Sequence, residues 1–335
     1  MLKVSVIIPV YGVEAYIEKC ARSIFEQTYS NLEILFVNDC TPDNSIQIIK
    51  ELLDKYPDRK KQVKILSQDK NRGVSAARQV GLETLSGDYC IQFDSDDYIA
   101  PTMIEELVQT AVREEADVVF CDYNLVKSNE IIHIHTNPSL NHIQCVRQFL
   151  EGELYAFLWN KLIRVCFYKD YHIQFIEGLN MREDLSVMYR LLYFANKIAY
   201  IPKPLYFYVM REGSISSTIM NKKQQRNAQE LIEQMVCFFV HENIQDKKLL
   251  DALIYFKAQI KSTILLFGNV NELKNELYKD VKWYHYYSHP QIIFFLKAIG
   301  VLSCFGCTPL VNGYRMAFHG LSKFKRMFIK CIHLD

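Results

Sequence analysis

Net charge is what this chain of 335 residues has least of, with 39 Lys plus Arg standing against 38 Asp plus Glu. No overall field draws polyanions, which excludes nucleic acid as a partner of the whole molecule and makes every charge argument local. Long apolar runs are missing too. The opening MLKVSVIIPVYG is too short for a secretory leader and has no small-residue cleavage site, so it reads as a first β-strand. A second apolar stretch, Ile292 to Leu302, is eleven residues long and carries Lys297; a membrane-crossing helix takes about 20 residues. Repeats and low-complexity tracts are absent. The ten cysteines include one CxxC pair, Cys304 and Cys307, but no second pair of ligands with which it would close a structural metal site. Scattered and partly inside apolar runs, they read as reduced thiols of a cytoplasmic protein. The chain is long enough to bury a core without such staples.

What is present is an alternation. Residues 4–8, 33–37, 63–66, 89–93 and 117–121 are short, apolar and rich in β-branched or aromatic side chains, as strands covered on both faces are. Between them lie helical spacings, such as Ile17, Ala21, Ile24 and Phe25, or Val74, Ala77, Gly81 and Leu85. Strand–helix alternation predicts an α/β fold with a mainly parallel sheet flanked by helices. Residues 122–219 are mixed, with an Ile/His alternation at 131–135 that predicts an edge hairpin and helical spacing at 143–163. From 220 to 335 the chain reads as mainly helical. The expected domains are therefore 1–219, with halves 1–121 and 122–219, and 220–335.

Ligands of such sheets bind beyond the carboxyl ends of the strands, and polar clusters follow three of them here: Pro9-Val10-Tyr11, Asn38-Asp39 and Asp94-Ser95-Asp96-Asp97. A short acidic turn suits a hard cation such as Mg²⁺ or Mn²⁺, which prefers oxygen ligands, although aspartates in turns also serve as plain helix caps. Capping accounts for Asp43 but leaves Asp39 at the sheet edge, where a carboxylate can accept hydrogen bonds from a base or ribose. Asn71-Arg72-Gly73-Val74-Ser75-Ala76-Ala77-Arg78 offers a glycine turn, small residues and two cations.

Taken together these segments resemble family 2 glycosyltransferases of the GT-A, Rossmann-like fold, inverting enzymes of bacterial surface-polysaccharide synthesis. The similar pieces are IIPVYG at 7–12, VNDCTPDNS at 37–45, NRGVSAAR at 71–78, GDYCIQFDSDD at 87–97, WNKLIR at 159–164, REDL at 182–185 and YFYVMREGSIS at 206–216. The resemblance implies that Asp39 contacts the base of a nucleotide-diphosphate sugar, with Pro9, Tyr11 and Glu14 beside it. It places Asp94 and Ser95 near the ribose and Asn71 and Arg78 in the same donor site. Asp96 becomes the ligand of Mn²⁺ or Mg²⁺, and Asp184 the base that takes the acceptor proton. Arg211, ahead of Gly213, would close over the diphosphate. Glu183 and Lys161 are weaker acceptor-side candidates, and Trp159 is either a sugar platform or a core residue. Gly12 departs from the polar residue usual after the tyrosine, and the region beyond 220 matches no motif of the family.

Near the carboxyl end Arg315, His319, Lys323, Lys325, Arg326 and Lys330 interleave with Met316, Phe318, Leu321, Phe324, Met327, Phe328 and Ile329. Two readings stand: an interfacial segment over 292–330, peripheral on the cytoplasmic face of an acidic membrane and serving a lipid-linked glycan acceptor, or a helix docked on protein with a solvated basic face. Two rivals concern function. A nucleotidyltransferase needs a glycine-rich basic loop after the first strand, whereas PVYGVEAY is followed by no Lys or Arg until Lys19. A sugar-nucleotide binder without catalysis needs neither Asp96 nor Asp184.

Overall fold

In β1 (Val4–Val10) the side chains of Val4, Val6, Ile7, Ile8 and Val10 are all wholly buried, so neither face of the strand meets water. The computed structural model describes residues 1–179, 182–210, 221–288, 292, 294–306 and 308–320. It divides into one unit of Met1–Cys145 with Tyr155–Arg211 and another of Val146–Leu154 with Glu212–Asp335.

In the first unit β1 lies between β2 (Leu32–Asn38) and β4 (Tyr89–Gln92), both parallel to it, and β3 (Val63–Ser67) runs parallel on the far side of β2. The helices between them, α1 (Ile17–Phe25), α2 (Ser45–Leu53) and α3 (Val74–Thr84), carry the expected apolar stripes. At Gly81 a side chain would overlap Ile7, so glycine is what lets α3 lie close against β1. After α4 (Met103–Arg113) the sheet continues with β6 (Val118–Val126), the edge hairpin strand β7 (Ile131–Ile134), β8 (Lys161–Arg164) and β9 (Ile198–Val209). With the short β5 (Tyr98–Ile99) the order is β3-β2-β1-β4-β8-β6-β9-β5, and β7 pairs with β6. This is the α/β architecture that the strand–helix alternation predicts. Its second half is mixed, because β8 runs antiparallel to both β4 and β6 while β9 is parallel to β6.

Helical spacing at 143–163 is realised only in α5 (His142–Glu151). Residues 161–164 become β8 because the ladders of β4 and β6 need a partner between them, and Leu162 and Ile163 are buried there. Two more helices complete this part of the chain, α6 (Cys166–Asp170) and α7 (Glu183–Phe194).

The second unit is helical. Its α8 (Lys222–His241) opens on a capping box between Asn221 and Gln224, and α9 (Lys247–Phe267) is capped by Asp246. α10 (Trp283–Ser288), α11 (Phe294–Cys304) and α12 (Thr308–Gly320) follow, with Ile260, Ile264, Tyr286, Leu296 and Ile299 in the core. No described helix is long and apolar enough to cross a membrane. Cys307, Arg211 with the glycine loop after it, and the basic residues from Lys323 to Lys330 lie outside the described residues.

Candidate active site

Three loops leave the carboxyl ends of β1, β2 and β4, and short hydrogen bonds knit the first two together. The amide of Gly12 donates to Thr41 Oγ1 at 2.8 Å, that of Glu14 to Asp43 Oδ2 at 2.9 Å, and that of Asn44 to Glu14 Oε2 at 2.9 Å. Gly12 takes a left-handed φ of 64°, which allows the turn after Tyr11. Burial alone would push the Asp43 carboxyl up, but hydrogen bonds from Ser45, Thr41 and the Glu14 amide outweigh it and hold it down at about 2. Pro9 stays within β1, and Tyr11 is half exposed at the rim.

Asp39 is buried, and its carboxylate is taken up by the next loop. Oδ1 accepts from Gln68 Nε2 and the Arg72 amide, and Oδ2 from the Gly73 amide, each at 2.8 Å. Gly73, at φ 89°, turns the chain into α3 so that these amides face Asp39. The Arg72 guanidinium points elsewhere, forming a two-pronged pair with Glu177 at 2.9 Å. Asn71 is exposed beside it.

The centre of the site is Arg78, whose side chain is 1% exposed. Its Nη2 donates to Asp94 Oδ1 at 2.7 Å and its Nη1 to Gln92 at 3.3 Å, while Nε lies 4.0 Å from Glu183 and 3.9 Å from Asp184. One guanidinium thus joins the acidic turn after β4 to the pair that opens α7. Both Arg78 Nε and Asp184 Oδ1 are buried without a hydrogen-bond partner, so polar capacity is left inside the site. Burial pushes the carboxyls of Glu183 and Asp184 up. At Glu183 the charge of Asp184 adds to the rise, and at both Arg78 opposes it. The Leu158 backbone helps lower the Asp184 carboxyl, so the segment before β8 lies next to the α7 pair.

Asp97 was given no role by the sequence. It is buried, accepts Tyr206 Oη and the Val209 amide, each at 2.7 Å, and so ties the acidic turn to β9. Burial, then the charges of Asp96 and Asp94, push its carboxyl well up. Its signal in the sequence is its place as the third aspartate of the run that ends a buried strand. Ser95 is buried in that turn, while Asp94 and Asp96 are half-buried. Three carboxylates crowded at one turn, with the cost visible at Asp97, fit the oxygen ligands a hard divalent cation takes, with Asp96 as the expected ligand.

Trp159 and Lys161 are both buried. The Trp159 ring stacks on Phe157 at 4.6 Å and Tyr206 at 4.3 Å, with Tyr123 edge-on at 4.8 Å, so it is the core residue of the two readings and presents no face to a sugar. Lys161 Nζ is bonded to the carbonyls of Tyr155 and Phe157 and to Asn160 Oδ1, and burial pushes it down to about 7. It braces the segment before β8 and is wholly buried there. A cavity of about 800 Å³ lined by Gly87, Asp88, Arg164, Cys166 and Lys169 opens at the other end of β4, away from the carboxylates.

Residues 5–171 match the family model described as glycosyl transferase family 2. Over 268 residues, 77% of this chain and 75% of the other, the sequence is 30% identical to a putative glycosyltransferase, EpsH, of Bacillus subtilis (strain 168). Among solved structures, residues 1–349 of S. aureus TarS, in complex with UDP-GlcNAc, share the fold at a TM-score of 0.67 and 19% identity, covering 96% of this chain and 92% of that one. The mannosyltransferase PcManGT of Pyrobaculum calidifontis, in complex with GDP-Man and Mn²⁺, shares it at 0.51 and 13%, covering 99% and 86%.

Proposed function

The chain belongs to the family 2 glycosyltransferases, and we propose that it is an inverting, metal-dependent member that moves a hexose or N-acetylhexosamine from a nucleotide-diphosphate sugar, with UDP as the favoured carrier, to a hydroxyl of a growing cell-surface glycan. The observation that carries this reading is the Arg78 bridge, which brings a half-exposed Asp94 on the donor side and a largely buried Glu183–Asp184 pair, with side chains 15% and 17% exposed, to one guanidinium. Inversion needs a base on one face of the sugar and a leaving diphosphate on the other. Asp184, raised by burial and with an unpartnered oxygen, suits the base that takes the acceptor proton. On the donor side the Asp39-anchored loop and the Asp94–Ser95–Asp96 turn hold base and ribose. Mn²⁺ or Mg²⁺ bound by Asp96 would offset charge on the departing diphosphate.

The acceptor we favour is lipid-linked, with the protein peripheral on the cytoplasmic face of a membrane through residues 292–330. Support comes from the basic and apolar interleaving there. The direct test is a panel of nucleotide sugars added to the purified protein with and without Mn²⁺. A donor raises the melting temperature only by binding the folded state, and the expected result is a shift with a UDP-sugar that grows with Mn²⁺ and is lost in Asp96→Ala. A donor shift that ignores both chelation and Asp96→Ala removes the metal from the proposal.

A further inference from the structure

The Ile/His alternation at 131–135 plays no part in the chemistry above. In β7 it puts His133 and, just beyond, His135 on one face, since side chains two apart on a strand point the same way. Tyr123 pairs with Ile134 and Asn124 with His133 in the antiparallel ladder, so Asp122 of β6 comes opposite His135. The pairing of β6 with β9 shifts register on both sides of Asp122, and such irregularities re-aim side chains.

The three side chains converge. His133 Nε2 lies 2.8 Å and His135 Nδ1 3.0 Å from the same oxygen, Asp122 Oδ2, and one ligand atom from each residue falls within 4.8 Å of the others. The other oxygen is held from behind: Asp122 Oδ1 accepts the Thr136 amide at 2.8 Å and Tyr200 Oη at 2.5 Å. Asp122 is wholly buried, whereas the imidazoles are 35% and 59% exposed, so water has access from one side. Two imidazoles and a carboxylate, with open positions and an outer shell that orients the carboxylate, form a ligand set for borderline divalent ions rather than for Mg²⁺ or Ca²⁺.

We propose that Asp122, His133 and His135 bind a divalent transition ion of the Zn²⁺ class, which clasps the edge strand β7 to β6. The site shares no residue with the Asp94–Asp97 turn or the Glu183–Asp184 pair and does not depend on the function proposed above. The strand to which β7 is clasped, β6, also carries Tyr123, which packs edge-on against Trp159.

The test uses the full chain without a histidine tag, stripped by chelator, desalted and kept free of nucleotide. Zn²⁺ is titrated against a chromophoric chelator, and Co²⁺ is added separately for its absorption spectrum. Wild type is expected to take up one equivalent of Zn²⁺ with a rise in melting temperature. His133→Ala and His135→Ala, whose exposed rings can be removed without unfolding, should each weaken uptake by about 100-fold or more, and Tyr200→Phe by about tenfold. Asp96→Ala should keep the full equivalent. Absence of competition by wild type, unchanged affinity in the double histidine variant, or a cobalt–thiolate charge-transfer band would each overturn the site, the last by moving the ion to cysteine.

Discussion

At Arg78 a single buried cation is shared by Asp94, Glu183 and Asp184, and this sharing sets different outcomes for two substitutions. Asp184→Asn keeps the shape of the side chain but cannot take a proton, so turnover should fall by about 10² or more. Donor affinity should barely move, because the lost interaction is made mainly in the transition state. Calorimetric donor titration with product assay separates the two, and a lost donor affinity would put Asp184 in the donor pocket. A base must be ionised, so turnover in the wild type should rise with pH along a limb set by this carboxyl. Burial raises that carboxyl, so the limb should lie above the ordinary range near 4. Arg78→Met removes the cation that opposes the rise, and the limb should move further up. It also frees Asp94, so this variant alone of the two should raise the donor KM. Its fold needs checking by thermal melt, since breaking a buried ion pair costs about 3–5 kcal/mol. An acid limb that stays put in Arg78→Met would show that the base is not in contact with Arg78.

Strands and loops are held in register by buried carboxylates as well. Glu33 of β2 accepts from Ser5 Oγ of β1 at 2.7 Å, Lys64 Nζ of β3 at 2.9 Å, and the Ser86 amide and hydroxyl at 2.7 and 2.9 Å. Burial raises its carboxyl, but the bonds from Ser5, Lys64 and Ser86 outweigh burial and bring it to about 2. The folded-state value lies below the unfolded one near 4.3, so this stabilisation, on the order of 3 kcal/mol, is complete above that pH and fades as pH falls toward 2. Glu33→Gln should therefore lower the urea-unfolding free energy at pH 7 and flatten its decline between pH 5 and 2, as measured by parallel titrations; equal slopes would show that Glu33 contributes no such linkage. Asp39 plays a similar part for residues 68–73, and Asp39→Ala should weaken nucleotide binding and speed hydrogen exchange at the amides of Arg72 and Gly73. Weaker binding with unchanged exchange would make Asp39 a direct contact rather than a loop anchor. The parallel strands were legible because each is an apolar run, and β1, β2 and β4 are buried on both faces. β8 was not, since its strand state comes from the ladders of β4 and β6 and not from its own pattern. Asp39 and Asp94 stood out as acidic residues just past strands, whereas Asp184 was singled out only by the resemblance of REDL at 182–185. The central place of Arg78, the anchoring by Asp97 and the burial of Lys161 were not legible, because all depend on residues dozens of positions apart meeting across the sheet, and the same packing decides for Trp159 between the two readings its sequence left open.

On the scale of the whole molecule, a net charge of +1 gives no reason to bind an acidic membrane, so any such binding must come from a local concentration of charge and apolar surface. Residues 315–330 contain Arg315, Lys323, Lys325, Arg326 and Lys330 and no acidic residue. Within the described part of the helical unit, Phe294, Phe305, Leu310 and Met316 are exposed at 75%, 64%, 58% and 76%. Bulky apolar side chains in water and a run of basic residues are the two ingredients of interfacial binding, which adds apolar insertion to attraction for anionic lipid. Each basic residue near such a surface contributes about 1 kcal/mol. Reversing Lys323, Lys325 and Arg326 to Glu therefore removes at least about 3 kcal/mol, which lowers the partition onto phosphatidylserine-containing vesicles by about a hundredfold or more. Wild-type binding should also weaken as salt rises, because the screening length shrinks from about 10 Å at 0.1 M to about 3 Å at 1 M. Cosedimentation with vesicles of increasing anionic content reads both effects. Phe294→Ser with Phe305→Ser should weaken binding at all salt concentrations, because insertion of apolar rings is not screened. Equal partition of wild type and the charge-reversed form, or no binding by either, would leave the basic residues as a solvated face of the protein and remove the membrane from the proposed function without touching the transfer chemistry at Asp184.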